Sequence, residues 1–210
     1  MVDVLIADDH PVVRRGLIQI LEDSQGCRVI GEASNGDELL ELARNTPADV
    51  ALVDIAMPGP GVFDLLRSLA GVGGGLPTLI LSIYPEDQFA VQVLRAGAAG
   101  YLTKDHSPSE LVDAVHRVAS GGRYVSADLG ERLVRELQTG SGGLPHERLS
   151  DREFEVLRLL SQGSSVTQIA GQLVLSPKTV STYRVRIMEK TGLGSTAEII
   201  RYGVENGLVD

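Results

Sequence analysis

Four of the five short apolar runs in the first 104 residues of this chain lead into polar side chains capable of chemistry. Asp8 and Asp9 follow residues 2–7, Asp54 follows residues 50–53, Ser82 follows residues 78–81, and Thr103 and Lys104 follow residues 100–102. Runs of this length bounded by turn formers read as buried strands. If those strands are parallel, three carboxylates, a hydroxyl and an ammonium meet at one rim. Acids packed together repel and raise one another's pKa unless a cation sits among them. Carboxylates with water form a hard, oxygen-only donor set suited to Mg²⁺. A carboxylate neutralised by a metal and lying beside a lysine can attack phosphorus to give an acyl phosphate. Singly, each residue is an ordinary strand end or cap. Jointly, four strands bringing complementary groups to one edge indicate a site.

The surrounding pattern supplies the frame that this convergence needs. A fifth run, residues 28–32, and stretches with helical spacing, such as Leu17, Ile20 and Leu21 or Leu39, Leu40 and Ala43, alternate with the others. Ser107-Pro108-Ser109-Glu110 is a capping box with proline at the first helical position. Leu111, Val115, Val118 and Ala119 follow it at three- and four-residue steps. Five strands alternating with five helices predict a doubly wound α/β domain with a five-stranded parallel sheet covered on both faces. Such sheets bind ligands beyond the carboxyl ends of their strands, at the switch in strand order, which is the rim carrying the acids. Residues 71–75, rich in glycine, lack both the Lys-Ser/Thr of a P-loop and the spaced glycines of a dinucleotide fingerprint, and read as a connector.

Length and composition set the outer bounds. The 210 residues suggest one or two domains, and 43% hydrophobic with 22% charged residues is ordinary for a globular chain. No apolar run approaches the roughly 20 residues of a membrane span, so no membrane partner is expected. Met1 is followed at once by Asp3, Asp8 and Asp9, unlike the charged-then-apolar build of a signal peptide, and a cytoplasmic protein is expected. A lone cysteine, Cys27, excludes an internal disulfide and a cysteine-rich zinc site. The net charge of −9 is unevenly spread: residues 1–120 hold 17 acidic and 8 basic residues, residues 148–210 hold 7 and 8. That asymmetry predicts two domains with different partners.

Residues 121–147 contain a short amphipathic stretch, residues 129–137, and then Thr139-Gly-Ser-Gly-Gly, a helix and a flexible tether. From residue 148 the period is helical. Ser150-Asp-Arg-Glu153 opens one helix, Gly163 ends it, a shorter helix carries Ile169, Ala170 and Leu173, and Ser176-Pro177 caps a third running to about Lys190. A fourth begins at Thr196. On the third helix Val180, Tyr183 and Ile187 form the inner stripe, while Lys178, Ser181, Thr182 and Val185 point away and Arg184 and Arg186 flank them. An outward valine among polar groups suits a thymine methyl in a major groove, and the basic flanks suit phosphates. Helical pattern and net charge alone leave a DNA-reading module and a protein-binding module about evenly matched.

The motifs Asp8-Asp9-His10-Pro11, Val53-Asp54-Ile-Ala-Met57-Pro58, Leu81-Ser82 and Gly100-Tyr101-Leu102-Thr103-Lys104-Asp105 resemble the receiver domain of two-component response regulators. Leu149-Ser-Asp-Arg-Glu153, Ile169-Ala170, Leu175-Ser-Pro-Lys-Thr179-Val180 and Ile187-Met-Glu-Lys190 resemble a LuxR-type helix-turn-helix, and together they point to the NarL/FixJ family. The resemblance implies a receiver over residues 1–120, a linker over 121–147 and a DNA-binding domain over 148–210. It implies that Asp54 is the phosphoacceptor, that Asp8, Asp9, Asp54 and the Ala56 carbonyl hold Mg²⁺, that Lys104 and Ser82 meet the phosphoryl oxygens, and that Tyr101 is a switch aromatic. DNA contacts are expected from Lys178, Thr179, Ser181, Thr182, Arg184, Val185, Arg186 and Lys190. The partners implied are a sensor histidine kinase, promoter DNA and a second copy of the chain, with RNA polymerase as a further candidate. Two departures from the family's usual pattern bear on rate: Ile83 is bulky beside the hydroxyl, and Ala56 and Tyr84 offer no carboxamide to position water. Slow self-dephosphorylation is therefore predicted. An aspartyl-phosphate phosphatase would want a second carboxylate where Ala56 stands and would leave residues 148–210 without a role. A phosphorylation-independent DNA binder would not need the complete set Asp8, Asp9, Asp54, Ser82 and Lys104.

Overall fold

The computed structural model describes residues 1–58, 60–83, 86–131, 134 and 144–209. It separates into two units, Met1–Gly130 and Glu131–Asp210. The tether expected at residues 139–143 and most of the helix expected at 129–137 lie outside the described residues, as does Tyr84.

The first unit alternates strand and helix: β1 (Val2–Ala7), α1 (Pro11–Asp23), β2 (Cys27–Ala33), α2 (Gly36–Asn45), β3 (Val50–Asp54), α3 (Val62–Ala70), β4 (Thr78–Ser82), α4 (Glu86–Arg95), β5 (Gly100–Thr103) and α5 (Pro108–Ala119). All strand pairs are parallel, in the order β2-β1-β3-β4-β5. Strands β3 and β4 are buried along their whole length, as expected of a sheet with helices on both faces. One core cluster joins Val4, Ile6, Leu52, Leu79 and Leu81 of the sheet to Leu17 and Leu21 of α1 and Leu111, Val115 and Val118 of α5. Strands β3, β4 and β5 each run one residue further than the apolar pattern indicates. The ladder continues through the polar residues, with Asp54 opposite Leu81 and Ser82 opposite Thr103, so these side chains are fixed by sheet pairing.

Residues 121–130, read from the sequence as the start of a linker, belong to the first unit. The Tyr124 carbonyl accepts from the Tyr101 N–H (3.1 Å) and its N–H donates to the Ala99 carbonyl (3.0 Å). Gly100 permits this bridge: a Cβ there would stand 2.7 Å from the Tyr124 carbonyl oxygen. Residues 127–131 are helical, capped by Ser126, whose hydroxyl is also bonded to Glu86 at the start of α4.

The second unit holds a 3-10 turn (Pro145–Arg148) and helices α6 (Asp151–Ser161), α7 (Val166–Gln172), α8 (Pro177–Thr191) and α9 (Thr196–Glu205). Capping boxes at Ser150/Glu153 and Ser165/Gln168 satisfy the free N–H groups that open α6 and α7. Ser176 with Pro177 does this for α8, and Gly192 in the left-handed region ends it. Helices α6 and α9 pack so closely at Ser161 and Gly203 that no side chain fits at Gly203.

Candidate functional site

The strand order reverses direction between β1 and β3, and the registered pair Ala7–Val53 sets the next residues, Asp8 and Asp54, side by side at the carboxyl edge. Both are almost wholly buried. Lys104, one residue past β5, reaches back across the sheet edge: its Nζ lies 2.8 Å from Asp8 Oδ2 and 3.1 Å from Asp54 Oδ1. Its backbone N–H donates to the Ser82 carbonyl (2.7 Å), which ties the ends of β4 and β5 together. Ser82 itself is fully buried beside Asp54 in strand order.

Burial raises the Asp54 carboxyl above its ordinary 3.8, and the neighbouring Asp8 charge adds to this, against the opposing pull of Lys104 and the Ala56 N–H. Burial draws the Lys104 ammonium down, but its bonds to Asp8 and Asp54 outweigh that and hold it above its ordinary value. The site therefore keeps a positive charge fixed between two buried carboxylates at neutral pH.

The four residues Asp8, Asp9, His10 and Asp54 each offer a ligand atom within 4.8 Å of the others. The expected acids thus come together, and His10, which carried no role in the sequence reading, joins them. As the N-cap residue of α1 its backbone N–H donates to Asp8 Oδ1 (2.8 Å), and its ring Nδ1 stands 2.8 Å from Asp9 Oδ1. Its signal in the sequence was adjacency to the acidic pair alone. Arg14 of α1 was also missed: it donates to the Asp8 carbonyl (2.7 Å) and is itself held by Glu32 (3.1 Å). Tyr101, the expected switch aromatic, is fully buried. Ile83 is 61% exposed, next to the buried Ser82.

On α8 the inner stripe is Val180 and Ile187, with Tyr183 half-buried. Lys178, Ser181, Thr182, Val185 and Arg186 are exposed, and Arg184 is half-buried with an Nε that has no hydrogen-bond partner among the described residues. Three expected contact residues are engaged inside the domain. The Thr179 hydroxyl is bonded to Ser176 (2.8 Å) and the Thr182 hydroxyl donates to the Lys178 carbonyl (3.0 Å). Lys190 pairs with the buried Glu153 carboxylate (2.6 Å), fastening the end of α8 to the start of α6, a tertiary role invisible in a helical wheel.

A parallel sheet with this acidic switch point and a separate helix-turn-helix unit defines a receiver joined to a DNA-binding module. The family model for the response regulator receiver domain matches residues 4–116, and that for bacterial regulatory proteins of the luxR family matches residues 147–203. The chain belongs to the NarL/FixJ family of two-component response regulators, proteins that regulate transcription through a LuxR-type DNA-binding domain. It is 36% identical to the response regulator UvrY of Escherichia coli over 209 residues, covering 99% of this chain and 96% of that one. It is 37% identical to the response regulator GacA of Pseudomonas aeruginosa over 211 residues, covering 100% and 99%. Among solved structures it is similar to RcsB of Salmonella enterica serovar Typhimurium, bound to promoter rprA in the presence of phosphomimetic BeF3⁻. That match has a TM-score of 0.76 and 28% identity and covers 96% of this chain and 97% of RcsB. Among the described residues no helix is long and apolar enough to cross a membrane.

Proposed function

We propose that this chain is a phosphorylation-controlled transcription factor. A sensor histidine kinase phosphorylates Asp54 in a receiver spanning residues 1–120; the linker over 121–147 carries the change; the domain over 148–210 binds promoter DNA as a dimer. Its DNA target places this activity in the cytoplasm. The observation that carries the reading is Lys104 spanning Asp8 and Asp54 at the switch point of the sheet.

The pocket fits a hard divalent cation: its acids offer carboxylate oxygens within 4.8 Å of one another, and burial penalises their uncompensated charge. Asp8, Asp9 and Asp54 with the Ala56 carbonyl would hold Mg²⁺, which when bound offsets the negative charge on a transferring phosphoryl group. A carboxylate oxygen of Asp54 attacks phosphorus; an O–P bond forms as the P–N bond of the kinase's phosphohistidine breaks, and its electron pair leaves with the imidazole. Lys104, already 3.1 Å from Asp54 Oδ1, is within reach of oxygens carried by that atom. The phosphoryl group adds close to two negative charges and three acceptors, to which the Ser82 hydroxyl and Lys104 respond. Tyr101, three residues before Lys104 on β5, takes up the displacement.

For DNA, the exposed face of α8 offers Ser181 and Val185 to base edges, while Lys178, Arg184 and Arg186 meet phosphates. RcsB with its promoter and a phosphomimetic supports both halves of the reading.

The test pairs wild type with Asp54→Asn, each treated with Mg²⁺ and a small-molecule phosphoryl donor. One added phosphoryl group by mass, a monomer-to-dimer shift and tighter promoter binding, all lost in Asp54→Asn, are expected. Labelling without a change in DNA affinity would move the output to a partner protein; no labelling would leave a constitutive binder.

A further inference from the structure

We propose that His10 supplies a nitrogen ligand to the divalent ion held by Asp8, Asp9 and Asp54, so that this pocket favours first-row transition ions such as Mn²⁺ and Co²⁺ over Mg²⁺ by more than an all-oxygen pocket would. The inference rests on the metal-binding reading of the acidic pocket and adds a ligand and a selectivity to it.

Three observations carry it. The ligand atoms of all four residues lie within 4.8 Å of one another, so His10 is part of the same cluster as the acids. Its ring Nδ1 is 2.8 Å from Asp9 Oδ1, about the spacing of adjacent ligands on an ion whose bonds are about 2.0–2.2 Å long. Asp9 Oδ1 is nevertheless buried and accepts no hydrogen bond, from His10 or from any other described group. A carboxylate oxygen and a ring nitrogen are both electron-pair donors. At 2.8 Å the two are placed for an ion pair when the ring is protonated, and with a neutral ring the same spacing lets them share a cation.

Position and chemistry agree with this assignment. His10 is the N-cap of α1, its backbone pinned by the bond to Asp8 Oδ1, so the ring is tethered beside the pocket by the same carboxylate that would bind the ion. The side chain is 66% exposed, which leaves the ring free to turn onto an ion without disturbing the core. Imidazole is a softer donor than carboxylate and suits the later first-row ions, whereas Mg²⁺ keeps to oxygen ligands and water. A nitrogen donor therefore adds little for Mg²⁺ and much for Co²⁺.

The test uses the full-length chain and His10→Ala, with Mg²⁺ and Co²⁺ affinities measured by calorimetry at one pH and Mn²⁺ examined by pulsed electron paramagnetic resonance. The Co²⁺-to-Mg²⁺ affinity ratio is expected to fall about tenfold or more in His10→Ala. The bound Mn²⁺ should show nitrogen coupling in the wild type that is lost in the variant. An unchanged affinity ratio, or Mn²⁺ without nitrogen coupling in the wild type, would overturn the assignment of His10 while leaving the acidic site standing. If no Mg²⁺ binds the wild type, or if Asp54→Asn leaves Mg²⁺ affinity intact, the pocket reading itself fails and this inference with it.

Discussion

At the scale of single residues, the pocket stores electrostatic cost that a ligand can relieve. The folded Asp54 carboxyl has a raised pKa, chiefly from burial, so it binds a proton more readily folded than unfolded. Stability from this group is greatest at low pH and is lost as pH rises from its ordinary 3.8 through the raised folded value, leaving a deficit at neutral pH. Asp54→Asn should therefore melt no lower than wild type without metal. Mg²⁺ should raise the melting temperature of the wild type, through a gain in stability of about 2.7 kcal/mol at a hundredfold excess over Kd, and do so far less in Asp54→Asn. Scanning calorimetry with and without Mg²⁺ checks both. Val174 shows the opposite kind of cost: a β-branched residue at φ 54° with 90% of its surface exposed, just before α8. Val174→Gly removes a backbone penalty of about 1–2 kcal/mol, partly offset by glycine's freedom in the unfolded chain, so a gain of about 1 kcal/mol in urea-unfolding stability is expected. The acids, Ser82 and Lys104 were legible because strand ends in a parallel sheet share an edge. His10 and Arg14 were not, because their places depend on which way the N-cap side chain of α1 and one on the helix itself turn.

At the scale of elements, helix ends and helix crossings set the stability of the second unit. The Glu153 carboxylate is penalised by burial, yet its bonds to Lys190 and Ser150 outweigh that and hold its pKa below the ordinary 4.5. A depressed carboxyl contributes stability that is complete above its unfolded pKa and is lost as pH falls through the folded one. Glu153→Gln should lower stability by about 1–2 kcal/mol at pH 7 and flatten the acid limb of a melting-temperature profile below about pH 4.5. Gly203 faces Ser161 across the α6–α9 crossing with no room for a methyl group. Gly203→Ala should cost about 1–3 kcal/mol, seen as loss of helical circular dichroism at lower denaturant, whereas Gly171→Ala, where nothing lies near, should not destabilise. The capping boxes at Ser107 and Ser150 and the proline-led start of α8 were legible as local sequence signals. The return of Tyr124 to β5 was not, since a single bridging residue has no period, and the Lys190–Glu153 pair joins residues 37 apart.

At the scale of the whole molecule, charge is divided between the two functions. The first 120 residues carry nine more acidic than basic side chains, while residues 148–210 carry one more basic than acidic, so on the proposed function attraction to DNA would rest on a few side chains of α8. With Lys190 committed to Glu153, the cations that α8 would offer to phosphates are Lys178, Arg184 and Arg186. Three per copy give about six phosphate contacts in a dimer. The logarithm of promoter affinity should then fall with the logarithm of salt concentration with a slope near −5, against about −3 for one copy on a half-site. Lys178→Ala should flatten the dimer's slope by about two, one contact per copy, and weaken all sequences alike, whereas Val185→Ala should leave the slope unchanged and relax base preference. Fluorescence anisotropy titrations across a salt series, on phosphorylated and unphosphorylated protein, read the contact number directly. A steep slope confined to the phosphorylated form would show that modification of Asp54 recruits the second copy. Equal slopes in both forms would mean that phosphorylation changes something other than the number of cations on the DNA.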